Sequence, residues 1–344
     1  MALDDRKLLV LATIVEEYIR SGEPVGSKTI LNSSKINVSS ATVRNDMAAL
    51  EKMGLLEQPH TSAGRIPTYL GYRLYIERLM RPYVLSAKEK HEIDEQLTRN
   101  GITAENVVDN AVQVLSDLTQ LTVVNTNNMP HFSVITRVEV IPAGRRLYAL
   151  LIITSSGSIK NKICRLEFDL TNEQLGFFAE FVNKNLKGIN IDELTPAMLQ
   201  NLAIALGSYM ISLSPLLYAV YELSEEFSHD NVNIRGEQRL LEAGNMDSVE
   251  IVRFLNEKQE LARLLSEAFS GIKVIFGKEN ETFSITNSSM VVSPYRIGEA
   301  QGGSLGIIGP LRLDYAKVIP YMQYFSDSVT KMLSDILHEE HETK

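Results

Sequence analysis

Ser39-Ser-Ala-Thr-Val-Arg-Asn-Asp-Met-Ala-Ala-Leu-Glu-Lys-Met-Gly-Leu-Leu56, followed by Gln58-Pro-His-Thr-Ser-Ala-Gly-Arg-Ile-Pro67, is the stretch whose reading decides the fold. Ser40 is a good N-cap, because its hydroxyl can accept from an amide left unpaired in the first helical turn. The helix then runs to about Met53, and Gly54 stands where a left-handed residue ends it. Val43, Met47 and Leu50 recur at helical spacing and form one buried stripe. Ala41, Asn45, Ala48, Ala49 and Lys52 fall on the opposite face, with Thr42 and Arg44 at its flanks. That outer face is small at some positions and hydrogen-bonding at others, as a helix entering a major groove requires. Arg pairs well with guanine and Asn with adenine, each worth about 1–3 kcal/mol of discrimination. The plain alternative is a surface helix whose outer face is polar for solubility alone, and the flanking sequence decides between them.

Upstream, Leu8, Leu11, Ala12, Val15, Tyr18 and Ile19 follow the spacing of a first amphipathic helix, stopped by Gly22-Glu-Pro24. Val25 to Leu31 reads as a short second helix. Three helices with short connections, the third carrying the exposed polar face, give a helix-turn-helix. Leu55 to Gln58 forms a strand, Pro59 to Gly64 supplies turn residues, and Arg65-Ile66 begins a return strand that Pro67 ends. This wing brings His60, Thr61, Ser62 and Arg65 towards phosphates or the minor groove. Ser39, Ser40, Thr42, Arg44 and Asn45 are the candidates for bases or adjacent phosphates, and Lys28 joins the phosphate group.

Charge agrees in sign. Residues 1–85 hold 11 Lys+Arg against 9 Asp+Glu, a balance of +2, while the whole chain is −9, which leaves −11 for the rest. A basic end on an acidic protein suits one DNA-facing pole. The excess is small, so tight binding calls for two copies of the module.

Four stretches, Gly22 to Lys28, Ser39 to Met47, Gly54 to Thr68 and Gly71-Tyr-Arg73, together resemble the signature of the HrcA family of bacterial heat-inducible transcription repressors. Gly302 to Tyr315 is a second match near the far end. The resemblance implies a winged helix, a GAF-like domain and an insert involved in dimerisation. It also implies an inverted-repeat operator (the CIRCE type) upstream of chaperone operons, and the GroEL chaperonin as a partner that favours the active repressor.

At 344 residues, two or three domains are expected, and 44% hydrophobic with 22% charged residues is ordinary for a globular chain. No apolar run approaches the roughly 18 residues of a membrane span. The charged start Met-Ala-Leu-Asp-Asp-Arg-Lys reads as having no signal peptide, and a single cysteine, Cys164, suits a reducing cytoplasm. Cys164 sits in an alternating segment and reads as a passive strand residue.

Downstream, residues 69–83 read as a linker helix packed on the wing, and Pro82 marks a boundary. Val107 to Leu121 is an amphipathic helix. The strands Ser133–Ile141, Arg146–Thr154 and Ser158–Phe168 follow as a meander. Helices are expected at Glu173–Leu186, Pro196–Leu213, Leu216–Phe227, Gly236–Glu242 and Ser248–Phe269. Strands return at Ile272–Phe276, Phe283–Thr286, Ser289–Val292 and Ser304–Ile308, before a long C-terminal amphipathic helix. Helical material between two groups of strands suggests an insertion into one sheet domain. The fold class is therefore α+β and multidomain: an N-terminal winged helix-turn-helix, an antiparallel α+β body that is GAF-like by resemblance, and an inserted, mainly helical dimerisation domain. The expected boundaries are 1–82 for the winged helix with its linker, 83–168 and 231–344 for the two parts of the GAF-like domain, and 169–230 for the insert.

Catalytic chemistry finds no support. The glycines of Gly302 to Gly309 lack the Lys-Ser/Thr of a P-loop and read as positions of close packing. His338 and His341 read as part of a charged C-terminus rather than a metal pair. No cofactor, metal, catalytic residue or membrane contact is expected. The expectation is a cytoplasmic, homodimeric repressor binding double-stranded DNA. Its rivals are a small-ligand-responsive winged-helix regulator and a thermosensing repressor that needs no chaperonin.

Overall fold

The computed structural model describes residues 3–33, 38–60, 63–99, 104–127, 134–155, 159–206, 213–229, 232–244, 246–266, 271–277, 279, 282–298 and 300–342. Helix α1 (Asp5–Ser21) starts at Asp4, whose carboxylate accepts from the Lys7 amide at 2.9 Å, and stops at Gly22 with φ +73°. Val10, Leu11, Ile14 and Val15 form its buried stripe. Helix α2 (Ser27–Ser33) begins two residues later than the spacing suggests. Val25 is extended instead and exchanges two backbone hydrogen bonds of 2.9 Å with Arg65.

Helix α3 (Ser40–Lys52) is capped by Ser39 rather than Ser40, since the Ser39 hydroxyl accepts from the Thr42 amide at 3.2 Å. The Ser40 hydroxyl is used elsewhere, 2.9 Å from that of Ser27. At the other end Gly54 adopts φ +73°. The Gly54 amide donates to the Glu51 carbonyl and the Leu55 amide to the Leu50 carbonyl, the paired bonds of a Schellman cap. Val43, Met47 and Leu50 are buried as expected, but so are Asp46 and Ala49. Ala49 therefore leaves the outer face: α3 packs on both α1 and the wing, which widens its buried arc.

Strands β1 (Leu56–Glu57) and β2 (Ile66–Pro67) pair antiparallel and make the wing. The backbone crosses itself closely here. A Cβ on Gly64 would lie 2.4 Å from the Val25 carbonyl, so glycine is the residue that fits. Helix α4 (Tyr69–Leu74) then passes through a π-helical segment, Tyr75–Leu79, into extended chain at Met80. Helix α5 (Ala87–Leu97) opens with a capping box. The Ser86 hydroxyl and amide, with the Tyr83 and Tyr321 hydroxyls, hold the Glu89 carboxyl down to about 2.

Helix α6 (Ala104–Thr119) leads to β3 (Thr122–Asn127), and the chain then leaves for β4 (Ile135–Gly144), β5 (Leu147–Thr154), β6 (Ile159–Arg165), α7 (Asn172–Leu186), α8 (Pro196–Leu206) and α9 (Ser214–His229). It returns through β7 (Val232–Arg235), α10 (Glu237–Glu242), α11 (Ser248–Asn256), α12 (Lys258–Ser266), β8 (Lys273–Phe276), β9 (Ser288–Ile297), β10 (Ala300–Pro310) and α13 (Tyr315–Glu342). Strands β7-β3-β10-β9-β8 form one antiparallel sheet in that order. Val123, Val291 and Ile307 point to a core with α6 and α13, whereas Val124, Val292 and Ile308 point to a core with α11 and α12. With both faces covered, β9 and β10 are buried at nearly every described position rather than at alternate ones.

Several expectations give way here. Strands β3 and β7, rich in polar residues such as Thr122, Asn125, Thr126 and Asn233, fall in segments for which the pattern above names no element. Phe283–Thr286 is not a strand: the Thr286 amide and hydroxyl donate to the Glu250 carboxylate at 2.8 and 3.1 Å. The helix expected over Ser248–Phe269 breaks at Glu257, with ψ +61°, and resumes as Lys258–Ser266; residues 267–269 lie outside those described. The bend lets Ile251 and Phe254 share one core with Leu261, Leu264 and Leu265. The helix expected over Pro196–Leu213 is described as Pro196–Leu206, and residues 207–212 lie outside those described.

A further core lies between β3 and β7 in the chain. Strands β4-β5-β6 form a separate sheet, and Val138, Tyr148, Leu150 and Ile152 share a core with Phe178, Val182, Leu217 and Val220 from the helices. Asn183 of α7 ties the two layers, accepting from the Val138 amide at 2.9 Å and donating to its carbonyl at 2.7 Å. Residues on both sides of position 168, from Ile135 to Leu223, belong to this one core.

Candidate nucleic-acid interface

The outer surface of α3 presents Ala41, Arg44, Asn45 and Lys52 to solvent, with Thr42 and Ala48 partly covered. Lys28 is exposed on the neighbouring α2. Ser27, the first residue of α2, was missed by sequence reading although it stands at the centre of this surface. Its hydroxyl oxygen accepts from Arg44 Nε at 3.3 Å and lies 2.9 Å from Ser40 Oγ. Arg44 is thus held through Nε on an otherwise exposed side of the helix. The Ser39 and Thr42 hydroxyls lie 2.9 Å apart and tighten the first turn of the helix.

Beneath this face, Asp46 anchors the helix. It is 3% exposed and receives a two-pronged contact from Arg6 of α1, with Nε–Oδ2 at 2.7 Å and Nη2–Oδ1 at 3.1 Å. A fork-to-fork pair of this kind fixes orientation as well as distance. The Asp46 carboxylate also raises the Arg6 guanidinium above its usual value. The one signal available in the sequence was an acid falling beside the apolar stripe.

The wing departs more from expectation. His60 is exposed near the tip, and Thr61 and Ser62 lie outside the described residues. Arg65 is turned inward: its Nη2 and Nε donate to Glu51 Oε2 at 2.9 and 3.1 Å, and its side chain is only 18% exposed. Arg65 thus bridges the wing to α3 through Glu51. Gln58 closes the turn by donating to the Ala63 carbonyl at 3.0 Å.

Elsewhere, burial pushes the Cys164 thiol up, which disfavours the reactive thiolate. The glycines of the Gly302–Gly309 run lie in β10, where Gly306 faces Val124 and Leu265 and Gly309 faces Leu121 and Leu313. They serve close packing of strand against side chain.

A three-helix module with a wing, an exposed Arg-Asn face and a buried anchor defines a winged-helix, DNA-binding transcription regulator. Residues 3–79 match the family profile described as the winged helix-turn-helix transcription repressor, HrcA DNA-binding, and residues 105–319 match the HrcA protein C terminal domain. The chain belongs to the HrcA family of heat-inducible transcription repressors. It is 32% identical to the heat-inducible transcription repressor HrcA of Natranaerobius thermophilus, across 97% of this chain and 98% of that one. It is also 32% identical to the HrcA of Clostridium acetobutylicum, across 97% and 98% of the two chains. A crystal structure at 2.2 Å resolution, described only as a hypothetical protein, superposes with a TM-score of 0.71 at 26% identity, covering 97% of this chain and 99% of that one.

Proposed function

We propose that this repressor binds an inverted-repeat operator of chaperone operons as a homodimer in the bacterial cytoplasm. In this reading α3 lies in the major groove, Arg44 and Asn45 read bases, and Ser39, Ser40, Thr42, Lys28 and His60 meet phosphates or neighbouring base edges. Thr61 and Ser62 belong to the same proposal through the wing. The observation that carries it is the Arg44–Asn45 face, preset from α2 by Ser27 and anchored from α1 through Asp46. Family membership adds the chaperonin GroEL as the partner whose occupancy by damaged proteins lowers the pool of active repressor, a population shift by mass action. We assign residues 134–229 as the inserted domain, and the five-stranded body as the GAF-like domain.

Fluorescence anisotropy on the operator and on scrambled DNA, across a salt series, tests the reading. Arg44→Ala is expected to weaken operator binding by roughly ten- to a hundredfold, with a much smaller loss on scrambled DNA. Ser27→Ala should reproduce part of that loss, because Arg44 stays present but is no longer held. Arg65→Ala should weaken both DNAs alike through a loosened wing. Equal losses on both DNAs for Arg44→Ala would remove it from base reading.

For the dimer, the proposed contact is the outer face of β4-β5-β6, where Ile141, Ile159 and Ile163 are 48%, 56% and 57% exposed. Apolar side chains together on one open sheet face suit a self-complementary, two-fold contact. Ile163→Glu should give a monomer in analytical ultracentrifugation, with full-operator affinity reduced towards that of a single half-site. A dimer that survives this change would place the two-fold axis elsewhere.

A small-ligand reading would draw on a cleft of about 310 Å³ lined by Gln120, Thr122, Arg239, Glu242, Ile308 and Pro310. Its cation is already engaged, since Arg239 donates to the Ser116 carbonyl and hydroxyl and, at 2.9 Å, to Asp117. The repressor reading is therefore preferred.

A further inference from the structure

The winged helix is not tethered to the body but shares a core with it. Tyr72 of α4, Phe276 of β8 and Tyr315 of α13 are each no more than 1% exposed. Their rings stand 5.8 Å (Tyr72–Tyr315), 6.3 Å (Tyr72–Phe276) and 6.4 Å (Phe276–Tyr315) apart, and Tyr69 lies 5.7 Å from Phe276. At the rim, Arg73 sits 5.8 Å over the Phe276 ring and pairs with Glu279 at 2.6 Å. Arg312 reaches from the body to Gly22, where an added Cβ would lie 3.2 Å from its Nη1. That is the carbonyl end of α1, the helix pole that favours a cation. Below the seam, the Tyr83 amide donates to the Ala316 carbonyl at 2.8 Å and straps the linker onto α13.

A flexible linker would let each recognition helix find its half-site independently. A shared core does not. Moving one half-site by a single base pair displaces it by about 3.4 Å along the duplex and turns it by about 34°. Side chains packed at van der Waals contact cannot follow such a step without opening the seam.

We infer that this seam, centred on Tyr72, Phe276 and the Arg73–Glu279 pair, fixes which half-site spacing the repressor accepts. The inference rests on the dimer-on-inverted-repeat reading and adds a second layer of specificity to it. Arg44 and Asn45 choose the bases within a half-site, and the seam chooses the distance between half-sites. Arg73 and Glu279 are positioning residues in this scheme, since they act on the pose of the module and not on DNA.

The test uses full-length protein on operators whose spacer is native, one base pair shorter or one longer, with a single half-site and scrambled DNA alongside. Wild type is expected to lose about tenfold or more in affinity at either altered spacer, the cost of deforming DNA or protein to restore register. Arg73→Glu, which sets a second carboxylate against Glu279, should flatten the three affinities to within about threefold while half-site binding stays at the wild-type value. The double variant Arg73→Glu/Glu279→Arg should restore the steep profile. Phe276→Ala opens the same seam from its apolar side and should flatten the profile as well. Steep profiles in both Arg73→Glu and Phe276→Ala would overturn the inference, as would a flat profile in wild type. Half-site binding lost in both the single and the double variant would overturn it too, by placing residue 73 on the DNA. A wild type that binds operator and scrambled DNA equally would instead sink the operator reading beneath it.

Discussion

Gly71→Ala is expected to lower the stability of the winged-helix region by about 3 kcal/mol and to abolish specific operator binding near the unfolding range. Gly71 sits within the six-residue helix α4, and a Cβ built there would stand 2.2 Å from the Leu55 carbonyl oxygen and 3.2 Å from its carbon. Neither partner can yield. The Leu55 carbonyl accepts from the Thr68 amide at 3.1 Å, and the Leu55 amide closes the cap of the recognition helix on Leu50. Thr68 in turn caps α4 and donates to the Gly54 carbonyl at 2.6 Å. One methyl group therefore pushes on the end of α3, the start of α4 and the root of the wing together. For a unit the size of the winged-helix region, such a loss corresponds to a fall of roughly 12–24 °C in the unfolding midpoint, read by calorimetry. Gly176 is the matched control, because it also lies within a helix but has no atom within 4 Å of an added Cβ. Gly176→Ala should stabilise by about 0.5–1 kcal/mol, through helix propensity alone. Equal behaviour of the two variants would show that α4 does not pack on Leu55 as described.

Phe178→Ala carries the second large effect. Phe178 is fully buried in the insert, within a core built from β4–β6 and α7–α9 and distinct from the two cores of the body. Removing a buried ring costs about 3–5 kcal/mol through lost transfer energy and the cavity left behind. Because the cores are separate, the loss should stay local. Hydrogen exchange should show protection collapsing over 134–229 while α3 and the β9–β10 pair keep theirs. The same variant should lose its dimer, if the insert carries the two-fold contact, yet retain half-site binding. Uniform loss of protection through the winged helix would mean that insert and body unfold as one unit.

The sequence legibly encoded whatever depends on neighbours within one or two helical turns. The Gly22 and Gly54 stops, the Val43–Met47–Leu50 stripe, the two wing strands and the β4–β5–β6 meander all follow from capping, period and turn chemistry. Errors of a residue or so, such as Ser39 replacing Ser40 as cap, arose where two adjacent residues of one type could do the same local work. Larger misses share a different cause. The four-residue strand β7, for which the pattern named no element, is held by its antiparallel pairing with β3. The strands β4–β6 and the helices α7–α9, apart in the chain, share a common core that no local pattern announces.

Side-chain roles divide in the same way. That residues 39–67 form a winged helix with Arg44 and Asn45 facing outward was decided by local pattern, since helical period alone sets which side chains share a face. That Arg65 braces Glu51, that Arg6 anchors Asp46 and that Arg73 meets Glu279 was decided only by the tertiary structure. Those partners lie 14, 40 and 206 positions apart in the chain. A charge carries no record of which opposite charge the folded backbone will bring within 3 Å of it. Only packing the three cores settles that, and with it whether a basic residue is left for DNA or is already held by the protein.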